Sequence, residues 1–99
     1  MDLVIGRFYA GDHVNEDGVI ETNVMRILEK RDGSMGEVSS EFYATETMQL
    51  VDGQFESIYK NDWLPKYLKR VATDSEVEMF KYHRGLNGGL KTWAEIIQE

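Results

Sequence analysis

The chain contains no cysteine and a single proline, and no stretch of it approaches the run of about eighteen apolar residues that a membrane-spanning helix needs. The missing thiols remove disulfides, thiolate nucleophiles and the cysteine ligands of structural zinc. A secreted domain of this size commonly leans on disulfides because its core is marginal. Their absence therefore favours a reducing compartment, and the cytoplasm is the expected location. The opening residues, MDLVIGRFYA, carry an early Asp and only a short apolar run, which is not the pattern of a signal peptide. Histidine is scarce as well: only His13 and His83 are present. Without thiolates to complete a zinc site, no metal ligand set is expected, and no cofactor is expected either.

What the chain does have is enough apolar material for one core. Its 99 residues are 41% hydrophobic and 11% aromatic against 29% charged, which is the balance of a folded domain. The formal net charge is -7, and it is unevenly spread. Residues 1–59 hold twelve acidic and four basic side chains, whereas residues 60–72 hold Lys60, Lys66, Lys69 and Arg70 against Asp62 alone. Such a field repels phosphate backbones and attracts basic protein surfaces.

Three Asp-Gly pairs, at 17–18, 32–33 and 52–53, punctuate the first half. Gly, and to a lesser degree Asp, tolerates the positive φ of tight hairpin turns, so each pair predicts a chain reversal. The runs between them are rich in β-branched and aromatic residues and predict strands near 3–10, 19–30, 37–44 with a continuation to 51, and 54–60. Ile20, Thr22 and Val24 share one face, but Met25, Ile27 and Leu28 break the period, as they do in a strand that carries a bulge or a bend. Phe8-Tyr9-Ala10 recurs as Phe42-Tyr43-Ala44.

The second half changes character. Leu64, Tyr67, Leu68 and Val71 suit a helix that starts beside Pro65, and they suit a fifth strand equally. Thr73 and Glu76 form a capping box before Val77, Phe80 and Arg84 at helical spacing, with Gly85 as a left-handed stop. That predicts a helix over about 74–84. After a Gly-rich linker, Thr92 and Glu95 repeat the capping pattern and predict a short helix over about 92–98. The fold class is therefore α+β and β-rich: a small antiparallel meander or an SH3-like barrel of about five strands, with a C-terminal helix. Residues 1–84 would form a single domain, and residues 85–99 a linker and helical tail. The Ala-Leu-Tyr-Asp-Tyr signature of signalling SH3 domains is absent.

Motifs of catalysis and ligand binding fail on inspection. Aligning Gly18 with the glycine of a calcium loop puts His13 and Val24 at ligand positions, where neither supplies a suitable oxygen. Gly85-Leu-Asn-Gly-Gly-Leu-Lys-Thr92 resembles a phosphate loop, but Leu90 replaces the glycine before the lysine and a helix precedes it instead of a strand. Gly33-Ser-Met-Gly36 is not a nucleophile elbow. No enzyme is expected.

The leading expectation is a small acidic protein-interaction module. Asp12, Glu16, Asp17, Glu21, Glu37, Glu41, Glu46, Asp52 and Glu56 would meet a basic partner surface. One form of this reading is an inhibitor, of the sort viruses and mobile elements encode, that occupies a nucleic-acid-binding surface of its partner. A structural subunit that self-associates, with Trp93, Ile96 and Ile97 as a docking tail, is the alternative. The interleaved aromatic and basic residues Lys60, Trp63, Lys66, Tyr67, Lys69 and Arg70 offer a third reading, a weak nucleic-acid patch.

Overall fold

The computed structural model describes residues 3–35, 38–86, 88–92 and 95–96. Five strands, β1 (Phe8–Val14), β2 (Ile20–Met35), β3 (Val38–Val51), β4 (Gln54–Trp63) and β5 (Arg70–Val71), form one antiparallel sheet, and the helix α1 (Asp74–Leu86) follows. The strand order is β4-β3-β2-β1-β5, so the first four strands make the meander and β5 returns to the outer edge of β1. The barrel alternative is corrected: β4 and β5 lie on opposite edges, and β5, at two residues, pairs only with Tyr9 and Ala10. The sheet stays open.

Two of the three Asp-Gly pairs turn the chain. At Asp52-Gly53 both residues have positive φ, 52° and 77°, the geometry of a two-residue primed hairpin. Between β1 and β2, Gly18 sits at φ 78° and donates its N–H to the Asn15 carbonyl at 3.0 Å. The Asn15 side chain accepts the N–H groups of Asp17 and Val19 and holds that loop. Asp32-Gly33 does not turn. It lies inside β2, opposite Glu41 and Ser40, because the packing of Met25 and Ile27 fixes a register that carries the ribbon on to Met35.

The face change expected in β2 is a bulge at Leu28, where the register with β3 shifts between Ile27 and Glu29. Two further expectations shift. The first strand begins at Phe8 and not near residue 3, since Gly6, at φ 88°, turns the chain and donates its N–H to Ile27. Gly85 is not a left-handed stop: its φ is not positive, and α1 runs through it to Leu86.

Residues 62–71 prove to be neither of the pure alternatives. β4 extends to Trp63, Pro65–Tyr67 make one 3-10 turn, and Leu68 then leaves helical geometry to bury its side chain. Lys69 donates its N–H to Ala10, which draws the chain into β5.

Both faces of the sheet are covered. On one, Ala10, Val24, Met48, Leu50 and Ile58 pack under α1, whose Phe80 is buried edge-on against Phe8 at 5.1 Å. On the other, Tyr9, Met25, Ile27 and Tyr43 lie beneath Leu68, Leu3 and Trp63. The repeated Phe-Tyr-Ala triplets flank β2 from either side and send both tyrosines to this second face. Each fully buried side chain of this size contributes about 1.5–3 kcal/mol. The capping box of α1 forms as expected, with Glu76 accepting the Thr73 N–H at 2.8 Å and Thr73 Oγ1 accepting that of Glu76 at 3.2 Å.

Candidate functional site

The hairpin turns β1–β2 and β3–β4 come to the same end of the sheet, joined by the Asp52 N–H donating to Ile20 at 2.9 Å. That end gathers five of the nine candidate carboxylates: Glu16, Asp17, Glu21, Asp52 and Glu56. Residues 8–25 and 32–59 contain no Lys or Arg, so the stretches of strand next to these two turns carry no fixed positive charge. His13 lies within this end, its Nε2 2.9 Å from Glu21. Glu21 also accepts from Asn15. Burial, and then the Glu21 carboxylate, pushes the nearby Tyr59 hydroxyl up to about 12. Across the base of the first turn, Val14 and Ile20 form a cross-strand apolar pair that stays 65% and 52% exposed.

The other four candidates are placed elsewhere. Asp12 is held by Arg70, with Nε at 2.9 Å and Nη2 at 3.1 Å, and by the Thr22 hydroxyl at 2.6 Å. The Arg70 hydrogen bonds, followed by that of Thr22, keep its carboxyl below the usual range. Glu41 lies on the β2–β3 ribbon opposite Asp32 and pairs with Lys30 at 3.4 Å. Glu46 is 5% exposed under α1, between Arg84 Nε at 2.8 Å and Arg26 at 3.5 Å. Its role is to pin the helix. Glu37 falls outside the described residues. The single acidic face of the sequence reading is thus an acidic end of five carboxylates, with Asp12 neutralised at its border.

The aromatic and basic segment is divided in the same way. Trp63 donates its indole N–H to Thr47 at 2.9 Å and meets the Tyr67 ring edge-on at 5.6 Å. The Lys66 ammonium lies 5.1 Å over the Tyr67 ring. Lys69 donates to the Asp12 backbone carbonyl at 3.1 Å. Arg70 is engaged by both Asp12 and Glu76, and Lys60 sits beyond β3, beside Thr92. Four of the six residues, Trp63, Lys66, Tyr67 and Lys69, therefore cluster.

Trp63, Tyr67 and Lys69, with Gly11, Asp12, His13, Asn23 and Met25, line a cavity of about 220 Å³ on the second face, and Lys66 stands beside it over the Tyr67 ring. Gly11 is required there because the Tyr67 carbonyl oxygen occupies the space a Cβ would fill. Asn23 Oδ1 is buried and has no hydrogen-bond partner among the described residues. An unmet buried acceptor costs about 1–3 kcal/mol. Nothing in the sequence singles out Asn23, because its place opposite Gly11 and Gln49 depends on two hairpin registers at once.

The tail docks on its own domain where it is described. Lys60 donates its N–H to Lys91 at 2.8 Å, Thr92 bridges Lys60 in parallel, and Leu90 packs on the core. The Thr92 hydroxyl accepts the Glu95 N–H at 3.3 Å, the expected cap, and Ile96 is half-buried. Trp93 and Ile97 lie outside the described residues. His83, in the last turn of α1, stacks on Phe55 at 3.6 Å. Among the described residues no helix is long and apolar enough to cross a membrane.

No protein-family model, curated protein or solved structure matches the chain.

Proposed function

We propose that this chain is a non-enzymatic protein-interaction module whose acidic end meets a basic surface of a protein partner, in the manner of an inhibitor that occupies a nucleic-acid-binding face. The observation that carries the reading is the convergence of Glu16, Asp17, Glu21, Asp52 and Glu56 at two adjacent turns whose flanking stretches lack Lys and Arg, beside the exposed Val14–Ile20 pair. Carboxylates on a rim speed encounter and fix orientation, while an apolar contact at their centre supplies the slower-dissociating part of the affinity.

The test is paired capture of the partner by the wild type and by a variant carrying Glu16→Gln, Asp17→Asn, Asp52→Asn and Glu56→Gln. These changes keep shape and leave the buried core untouched. The variant is expected to associate about tenfold more slowly at low salt, with the difference shrinking as salt rises. A partner bound equally well by both proteins, or no partner at either salt, overturns the proposal.

A further inference from the structure

The cavity beside Trp63 and Tyr67 borders the acidic end, sharing Asp12 and His13 with it, and has a chemistry of its own. At about 220 Å³ it is smaller than the pockets that enclose drug-sized ligands, and it suits one ring system or one side chain. Met25, Trp63 and Tyr67 give it an apolar and aromatic lining. Asn23 adds a carboxamide whose oxygen lacks a donor, and rotation about χ2 can present either end of that amide to an occupant. Lys69 lines the cavity, and the Lys66 ammonium lies over the Tyr67 ring. Neither lysine is paired with a carboxylate among the described residues: Lys69 reaches a backbone carbonyl and Lys66 a ring. Asp12 also lines the cavity and feels the Lys69 charge, but its carboxylate is held by Arg70, and Glu21 is taken by His13.

Each feature removes a class of ligand. With the lining carboxylate, Asp12, already held by Arg70, the ammonium groups of Lys69 and the adjacent Lys66 disfavour a cation. The unmet amide disfavours a purely apolar group. The small volume disfavours a folded peptide. What fits all three is a planar, hydrogen-bonding ring joined to an anion.

We infer that the Asn23–Trp63–Tyr67 cavity binds a nucleobase, with the attached phosphate held by Lys66 and Lys69. The ring contacts the aromatic wall, its exocyclic amine donates to Asn23 Oδ1, and the phosphate remains at the rim. A free nucleotide and an unstacked base in a single strand share this chemistry.

The experiment is an NMR titration of the full chain with adenosine monophosphate, adenosine, purine riboside monophosphate and a short oligodeoxyadenylate. The Trp63 indole and Asn23 amide signals serve as reporters. Adenosine monophosphate is expected to shift both. Removing the phosphate, or the exocyclic amine, should weaken binding about tenfold. Lys69→Gln and Tyr67→Ala should do the same, and the exposure of both side chains makes them safe to change without unfolding the chain. Stronger binding by the oligomer identifies a strand as the source, and equal or weaker binding identifies the nucleotide. If neither probe moves the Trp63 and Asn23 signals at millimolar concentration, or if both variants bind as the wild type does, the inference is overturned.

Discussion

Glu46 and Gly11 show how single residues hold this fold. Glu46 is the one buried carboxylate of the described core, and its two oxygens take Arg84 from the helix and Arg26 from β2. Glu46→Ala is expected to lower stability by about 2 kcal/mol, read as a shift of the urea midpoint. The cost stays moderate because both arginines are partly exposed and can return to water. At Gly11 the effect has the opposite origin. A methyl group there meets the Tyr67 carbonyl, so Gly11→Ala forces the 3-10 turn away from the sheet and costs about 1–3 kcal/mol in the same assay. Neither role was legible in the sequence. Glu46 reads as one acid among eighteen, and Gly11 as an ordinary glycine in a strand, because each depends on a partner more than thirty residues away.

Elements were more legible than residues, and the divide follows the range of the interactions that define them. The capping box of α1, the turns at Asp17-Gly18 and Asp52-Gly53, and the β2 bulge are all set by neighbours in sequence, and all are found where the pattern puts them. Asp32-Gly33 carries the same local signal and makes no turn, since the register fixed by distant core residues prevails over it. The segment after Trp63 read ambiguously because its fate is decided by Ala10, which draws Lys69 into pairing. Arg70, just beyond, clamps β1 to α1 through Asp12 and Glu76.

That clamp has a pH signature. Hydrogen bonds from Arg70 hold both carboxyls below their ordinary values of 3.8 and 4.5, so folding favours their charged forms. Their contribution to stability is therefore complete above 4.5 and is lost as the pH falls through the lowered folded values. Arg70→Gln should flatten this acid limb in urea titrations taken at successive pH values, leaving a weaker dependence below 4.5 than in the wild type.

At the scale of the whole molecule, the sequence announced its charge asymmetry but not its geometry. The negative balance of residues 1–59 was countable, whereas the sorting of those acids into an exposed end, a neutralised border at Asp12 and a buried anchor at Glu46 required the fold. The cavity beside Trp63 was half visible: the interleaving of aromatic and basic residues pointed to it, while Asn23 and Met25 arrive from a strand some forty residues earlier.

The third of the five strands in spatial order, β2, sends Val24 into the cluster under the helix and Met25 and Ile27 into the cluster on the other side. Both layers thus share one backbone, and neither can separate without disturbing amides that are paired on two sides. Hydrogen–deuterium exchange should therefore be slowest at Val24 and Met25, with the opening free energy there equal to that of complete unfolding, while the two-residue β5 exchanges through smaller, local openings. Should those two amides exchange as readily as the strand at the edge, the layers would be opening one at a time.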